Sequence, residues 1–348
     1  MKSMKTKTRV GISGYGAYVP MYRIKGEEIR RVWGGKSPIP QKSVPGPDED
    51  TVTFSIEAGR NALNRSSVDR DDVHAVLIGS ESQAYAVKSD GTIVAEALGL
   101  SHDMSAANLE FACKAGTEAM QMCIGFVASG MMKAAMAIGA DTSQGRPADP
   151  LEFTAGAGAG AFIFSEEDKN SLASVDLSYS YVTDTPDFWR RQGEKYPSHA
   201  GRFTGEPAYF KHVLTAARTI LEDSGLEPRE FAHAVFHQPN PGFVRKAAKK
   251  LGFTEDQIKH GLLTPRVGNC YAGAVPLALT NVLDHSSPGE KILVASFGSG
   301  AGSDSFVLTV KECIEKAKDL APRTEFYVNR EKFVDYAFYA RYRRKIIR

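Results

Sequence analysis

Val73-His-Ala-Val-Leu-Ile-Gly-Ser-Glu81 is an apolar run that ends on a carboxylate. It returns later in the chain as Phe231-Ala-His-Ala-Val-Phe-His237, ending on an imidazole. His74 and His233 fall 159 residues apart. Each run follows an alanine-containing helical stretch and a polar turn, Ser55 to Leu63 before the first and Val213 to Leu221 before the second. Downstream, Ala112-Cys-Lys-Ala-Gly116 resembles Asn269-Cys-Tyr-Ala-Gly273 at an offset of 157, and Lys133-Ala-Ala-Met-Ala137 resembles Lys291-Ile-Leu-Val-Ala295 at 158. Three short matches in one order at nearly one offset read as an internal duplication. The predicted strands are Val10 to Ser13, Ala75 to Ile78 and Ala134 to Gly139 in one half, with Ala234 to Phe236 and Ile292 to Ser296 in the other. Buried apolar strands alternating with helices imply α/β layers. The halves are 1–165 and 166–348. Packed about a pseudo-twofold, they would bring the loops at Glu81 and His237 and the helix starts at Cys113 and Asn269-Cys270 around one centre.

At 348 residues, 42% hydrophobic and 24% charged, the composition is that of a globular protein, with room for one large domain or two fused ones. A net charge of +2 argues against capture of nucleic acid as the main activity. The four cysteines lie far apart without CxxC spacing, which argues against a zinc site and a disulfide framework. A reducing, cytoplasmic compartment is the expectation. Met1 to Arg9 is basic but lacks the apolar core of a signal peptide, and no run reaches membrane-spanning length.

Cys113 stands between a polar turn and the apolar run Ala115 to Ala128. A cysteine at the start of a buried helix meets the positive end of the helix dipole, which is expected to favour the nucleophilic thiolate. The competing reading is a core cysteine packed as a small hydrophobe. Cys270 resembles Cys113 in its surroundings and is an alternative reactive thiol; Cys123 and Cys313 read as structural. His237 is followed by Gln238-Pro-Asn-Pro241, a rigid loop that fixes its direction. Glu81 serves either as a base or as a solvent-facing strand end, and Asn269 either as a hydrogen-bond donor to substrate or as an ordinary N-cap. Two glycine-rich stretches, Thr154 to Ala161 and Phe297 to Gly302, precede the predicted strands Phe162 to Phe164 and Phe306 to Val310. They read as places where a ligand approaches the backbone, or as tight turns. Neither they nor Gly11 to Gly16 has the spacing of a nucleotide loop.

Cysteine, histidine, asparagine and a carboxylate together suit several chemistries. A cysteine protease leaves Glu81 without a task. Carbon–carbon bond formation from thioesters uses all four: Cys113 takes the acyl group, a poorly solvated Glu81 removes a proton from the acyl methyl, and His237 and Asn269 donate to a carbonyl oxygen where charge develops.

Along nearly the whole chain these segments resemble the thiolase superfamily, and more narrowly the short, archaeal type of hydroxymethylglutaryl-CoA synthases. The resemblance is carried by Gly14 to Lys25, Lys42 to Asp50, Gly79-Ser-Glu-Ser82, Phe111 to Thr117, Asp187-Phe-Trp-Arg190, Lys195-Tyr-Pro197, Phe236 to Asn240, Gly268 to Gly273 and Phe297 to Gly300. It implies a thiolase-like α/β fold of two duplicated halves layered α-β-α-β-α. It also implies condensation of acetyl-CoA with acetoacetyl-CoA through an acetyl-cysteine, feeding the mevalonate/isoprenoid pathway. By this resemblance Cys113 carries the acetyl group, Glu81 is the general acid/base, and His237 positions and polarises acetoacetyl-CoA. Thr154, Asn269 and Ser299 match substrate contacts. No metal or redox cofactor is implied.

The anionic CoA nucleotide suggests a basic rim, for which Lys25, Arg202, Arg245 and Lys246 are the candidates. Lys249 and Lys250 read as a solvated helix face. Relatives often read Asn-Gly-Lys after His-Gln-Pro. Here the text is Asn240-Pro-Gly242, which removes the usual lysine and leaves Arg245 in its place. The aromatic and basic extension 322–348 reads as an amphipathic segment docked on the body or on another subunit, with membrane-surface binding as the alternative. The resemblance further implies a homodimer, and assembly with an acetoacetyl-CoA thiolase and a zinc-ribbon/OB-fold bridging protein. A chain-starting ketoacyl synthase lacks a glutamate at the Glu81 position, and a silent scaffold has no physical need for Cys113, Glu81 and His237 together.

Overall fold

The structure is a computed structural model that describes residues 2–345, the side chain of Arg202 excepted. Arg202 in the expected basic rim, and the end of the 322–348 extension, therefore lie outside the described residues.

Nine strands form one sheet: β1 (Val10–Tyr18), β2 (Val73–Gly79), β3 (Ser105–Leu109), β4 (Ala134–Asp141), β5 (Gly158–Glu166), β6 (Ala173–Thr185), β7 (His233–Phe236), β8 (Lys291–Ala295) and β9 (Gly300–Val310). Their order is β7-β8-β9-β6-β1-β5-β4-β2-β3. The duplication is written in the pairing. β2 runs parallel to β4 and β4 antiparallel to β5; β7 runs parallel to β8 and β8 antiparallel to β9. The two sets meet where Gly11 pairs with Ser174 and Ile12 with Ala173, a short seam joining β1 to β6.

The layering follows from the period of two along each strand. In β4, Ala135 and Ala137 face inward to the helices α3 (Ala115–Ala128) and α6 (Ala274–His285). Ala134, Met136 and Ile138 face outward to α1 (Thr51–Asn64) and α2 (Asp90–Leu98). In β8, Ile292 and Val294 point to the same inner helices, whereas Leu293 and Ala295 meet α4 (Phe210–Ser224) and α5 (Pro241–Leu251). The result is five layers, α-β-α-β-α. α6 is the fully covered central helix, every residue from Ala274 to Asp284 being buried, whereas α3 leaves Met122 and Gly125 exposed.

Three expectations change. First, β1 runs on to Tyr18, and the long strand β6 lies outside the predicted set. Second, the glycine-rich stretches run into strand within themselves, at Gly158 and at Gly300. Close approach is their use, but at Gly160 the approaching group is α6: a Cβ there would sit 2.5 Å from the carbonyl carbon of Pro276. Third, the register of the duplication is 159 at the helix starts. One turn, Ala112–Lys114, leads into α3 at Ala115, and its counterpart, Tyr271–Gly273, leads into α6 at Ala274. Ala112 (φ +45°) and Tyr271 (φ +48°) share the same left-handed backbone at these turns. The counterpart of Cys113 is therefore Ala272, and Cys270 is not its mirror image.

A three-stranded sheet of Tyr22–Lys25, Gln41–Val44 and Lys332–Val334 flanks the body. The C-terminal extension packs on it through α7 (Tyr336–Tyr342), with Phe338 against Tyr22. Among the described residues no helix is long and apolar enough to cross a membrane.

Candidate active site

Glu81 lies two residues past the end of β2, Asp141 ends β4, and His237 directly follows β7. All three occupy carboxyl ends of parallel strands, where α/β sheets place their ligands. Cys113 sits in the turn before α3, and its Sγ donates to Glu81 Oε1 at 3.1 Å. Two glycines let this turn close on the second half. A Cβ on Gly298 would lie 2.5 Å from Lys114 Cβ, and one on Gly302 would lie 2.8 Å from the ring of Phe111. Lys114 anchors the turn from below: its ammonium is 3.0 Å from Asp304 Oδ1, both groups being fully buried, and it also pairs with Glu118.

The electrostatics differ from the sequence expectation. Burial, then the charge and hydrogen bond of Glu81, push the Cys113 thiol well above its usual range. The expected dipole-stabilised thiolate is not what this site holds at rest. The dipole is a fraction of a charge in water's reach, whereas Cys113 is only 7% exposed and faces a carboxylate. Burial, reinforced by Asp141, raises Glu81 to about 8, against pulls from Cys113 and Arg190. Asp141 is itself raised to about 6 by burial, although it accepts four hydrogen bonds. Its Oδ1 takes Ser80 Oγ (2.8 Å), Glu81 N (2.9 Å) and Ser82 Oγ (2.6 Å), and its Oδ2 takes Ala272 N (2.8 Å). One carboxylate thus ties the Glu81 loop to the turn that mirrors Cys113.

Asn269 and Thr154 meet through their backbones: Asn269 N donates to Thr154 O at 2.7 Å. The Asn269 side chain accepts from Tyr271 N at 2.9 Å, so it caps the second-half turn. Tyr271 packs with Cys113 and Ala155, and its hydroxyl is buried without a partner. His237 reaches the group through Phe297, ring centroids 6.1 Å apart, and Phe297 leads into Gly298 against the Cys113 turn. Burial lowers His237 to about 3, so the imidazole is neutral, and its Nδ1 is buried without a protein partner. Ser299 hydrogen-bonds Asp187, which also accepts from Gly300 N at 2.9 Å.

The candidate rim is dispersed. Arg245 and Lys246 lie on α5, which starts four residues after His237. Lys246 sits over the ring of Phe210 at 4.4 Å, and Arg245 pairs with Glu255 at 3.1 Å. Lys25 lies in the flanking sheet, over Phe333. Sequence reasoning misses Asp141, Asp187 and Tyr271 as site residues. Asp141 carries a readable signal, since it ends an apolar strand as Glu81 does; Asp187 and Tyr271 carry none apart from the resemblance. Among the described residues no cluster of three or more His, Cys, Asp or Glu could hold a metal ion.

Comparison with known proteins bears on the fold and the family. Residues 36–160 match the thiolase N-terminal domain, and residues 221–310 match the C-terminal part of 3-oxoacyl-[acyl-carrier-protein] synthase III. A hydroxymethylglutaryl-CoA synthase of Pyrococcus horikoshii is 58% identical over 347 residues, 99% of each chain. That of Methanocaldococcus jannaschii is 56% identical over 344 residues, 97% of this chain and 99% of the relative. A solved structure of MvaS in complex with 3-hydroxy-3-methylglutaryl coenzyme A superposes with a TM-score of 0.87 at 24% identity, covering 97% of this chain and 92% of that one. The duplicated five-layer fold and the near full-length identity lead to one conclusion: the chain belongs to the hydroxymethylglutaryl-CoA synthase family, within the thiolase superfamily.

Proposed function

We propose that this protein condenses acetyl-CoA with acetoacetyl-CoA to give 3-hydroxy-3-methylglutaryl-CoA and CoA, with Cys113 and Glu81 as its reacting pair. The observation that carries the residue assignment is the buried 3.1 Å contact between Cys113 Sγ and Glu81 Oε1. A thiol held neutral cannot attack unaided. As Cys113 sulfur bonds to the acetyl carbon, its proton passes to Glu81, the bond to CoA sulfur breaks, and Glu81 returns the proton to the departing CoA thiolate. With Glu81 raised to about 8, the ionised fraction present near neutral pH is the form that accepts this proton, and once protonated the carboxyl holds it until CoA departs.

The freed carboxylate then removes a proton from the methyl of acetyl-Cys113. The resulting carbanion or enol attacks the ketone of acetoacetyl-CoA; His237, neutral and buried, hydrogen-bonds the oxygen that gains charge, and the proton held by Glu81 passes to that oxygen as the 3-hydroxyl forms. Water finally cleaves the cysteine thioester. Thr154, Asn269 and Ser299 line the substrate path, and Arg245 and Lys246 meet the CoA nucleotide. These steps exchange protons and acyl groups without a change of oxidation state, so they call for no redox cofactor.

The product feeds isoprenoid synthesis through mevalonate. We place the protein in the cytoplasm and read it as a homodimer, for which β3, at one end of the sheet, offers an edge. Assembly with an acetoacetyl-CoA thiolase and a zinc-ribbon/OB-fold protein would hand acetoacetyl-CoA between sites. The test is incubation with both thioesters and mass spectrometry of product and protein, beside Cys113→Ala and Glu81→Ala. Wild type should form the product, and Glu81→Ala should lose condensation. An intact yield in Glu81→Ala would remove the base from this mechanism.

A further inference from the structure

Residues 343–345 of the C-terminal extension pack against the loop that follows Asp141. After α7, Arg343 Nη2 donates to Thr142 Oγ1 at 3.2 Å and to the Ser143 carbonyl at 3.1 Å. Lys345, its side chain 2% exposed, donates to the Gly145 carbonyl and lies 3.3 Å from the fully buried Glu152 carboxylate. From the opposite side, Lys42 Nζ donates to Ser143 Oγ and Tyr339 Oη, each at 3.2 Å. Residues 344 and 345 also hold a second segment. Lys195 donates to the Arg344 carbonyl, and the Lys345 ammonium sits 5.3 Å from the centre of the Tyr196 ring.

Both gripped segments lead to one atom. Gln144 Nε2 (3.3 Å) and Arg190 Nη2 (2.9 Å) donate to the backbone carbonyl of Glu81. Thr142 N adds a bond to Ser82 Oγ at 2.9 Å. Packing alone would be served as well by apolar side chains, since burying cations is costly unless their geometry is used. Here three cations converge on loop 142–145, which hangs directly from Asp141.

We propose that Arg343 and Lys345 are positioning residues for proton transfer at Cys113. They clamp segments 142–145 and 190–196 against the Glu81 backbone and so hold its carboxylate on the Cys113 sulfur. The inference rests on the reading of Glu81 as the group that exchanges a proton with Cys113. Small displacements of a reacting pair are costly, on the order of 100-fold per ångström.

The test compares wild type with Arg343→Ala, Lys345→Met, the double variant, Arg343→Lys and the exposed neighbour Arg341→Ala. Three quantities are read: the single-turnover rate of Cys113 acetylation, kcat against KM, and the pH profile of Cys113 alkylation by iodoacetamide. We expect the double variant to acetylate about 10-fold more slowly or worse, with its alkylation midpoint displaced by about half a pH unit or more. Arg343→Lys should recover part of the loss, and Arg341→Ala should match wild type. Rates and profiles that overlay wild type in the folded double variant overturn the clamp. If that variant does not fold, the single pair decides, and equal effects of Arg343→Ala and Arg343→Lys overturn it. Glu81→Gln separates the two levels: an alkylation profile identical to wild type would sink the Glu81 reading itself, whereas a changed profile beside a silent double variant sinks only the clamp.

Discussion

Glu81→Gln should make the protein more stable at alkaline pH and leave it unchanged at acid pH. Glu81 titrates near 8 in the folded protein against a usual value of 4.5, chiefly through burial and then through Asp141. Between those values the folded chain keeps a proton that the unfolded chain has released, so this group's share of stability falls as pH rises. The loss is complete once pH passes 8. At about 1.4 kcal/mol per pH unit, the interval from 4.5 to about 8 corresponds to about 5 kcal/mol. An unfolding entropy of about 2 cal/mol/K per residue over 348 residues converts this to about 7 °C in Tm. The introduced amide would keep the shape of the carboxyl and stay neutral throughout. The assay is thermal unfolding of both proteins from pH 5 to pH 9.5, read as the difference between the two Tm curves, in which titrations of groups away from Glu81 cancel. The difference should be near zero at pH 5 and approach about 7 °C at pH 9.5 in favour of Glu81→Gln. Parallel curves would refute the claim that Glu81 holds its proton to pH 8.

Cys270→Ala should still acetylate at close to the wild-type rate while Cys113→Ala does not acetylate at all, by intact mass, because Cys270 is buried and pushed up to about 12. Lys114→Ala should cost about 3–5 kcal/mol by leaving Asp304 buried without its cation. In thermal unfolding, Lys114→Met combined with Asp304→Leu should recover most of that loss. His237→Gln should accumulate acetyl-enzyme without product. Since His237 stays neutral down to about 3, the wild-type pH–rate profile should show no limb from it between pH 5 and 9. Gly298→Ala should slow Cys113 alkylation, since its Cβ would meet Lys114 Cβ at 2.5 Å and displace the turn; an unchanged rate would show that the turn does not need this approach.

The elements legible in the sequence are those whose signal is local and repeated. The apolar runs at 73–81 and 231–237 end in side chains that cannot be explained as core, and their strands lie where the runs are. The long strand β6 lies outside the repeated runs, yet it carries its own period-two signal, Ala173, Val175, Leu177, Tyr179 and Tyr181 alternating with Ser174, Asp176, Ser178 and Ser180; only its second part, partly exposed, loses that pattern. The glycine runs read as loops because glycine disfavours strands, yet the tertiary need for α6 to lie against the β5 backbone overrides that preference. The thiolate expectation fails for a related reason. A helix start is visible in sequence, but the carboxylate 32 residues earlier that raises the thiol is brought there only by the fold. Asp141 shows both sides of this: its place at a strand end is legible, while its bond to Ala272 N, across the two halves, is not.

That bond explains how two similar halves yield one site. At the position equivalent to Cys113 the second half carries Ala272, so it has no sulfur to acylate. Its turn keeps the shared left-handed residue, Tyr271, and with it a backbone amide aimed at Asp141. The same geometry that presents a nucleophile in one half therefore presents a hydrogen-bond donor in the other. The donor satisfies a carboxylate whose charge raises Glu81 and keeps the proton near Cys113. Among side-chain changes only Ala272→Pro would delete that amide, and because the turn also requires Tyr271 at φ +48°, the two effects must be separated. Asp141→Asn does so. It keeps an acceptor for Ala272 N and removes a charge that raises both Glu81 and the Cys113 thiol, so Glu81 should fall from about 8 by the part burial does not set, and the alkylation profile of Cys113 should shift to lower pH. A profile that stays in place would mean that burial alone sets Glu81, and that the second half contributes shape to the site but not charge.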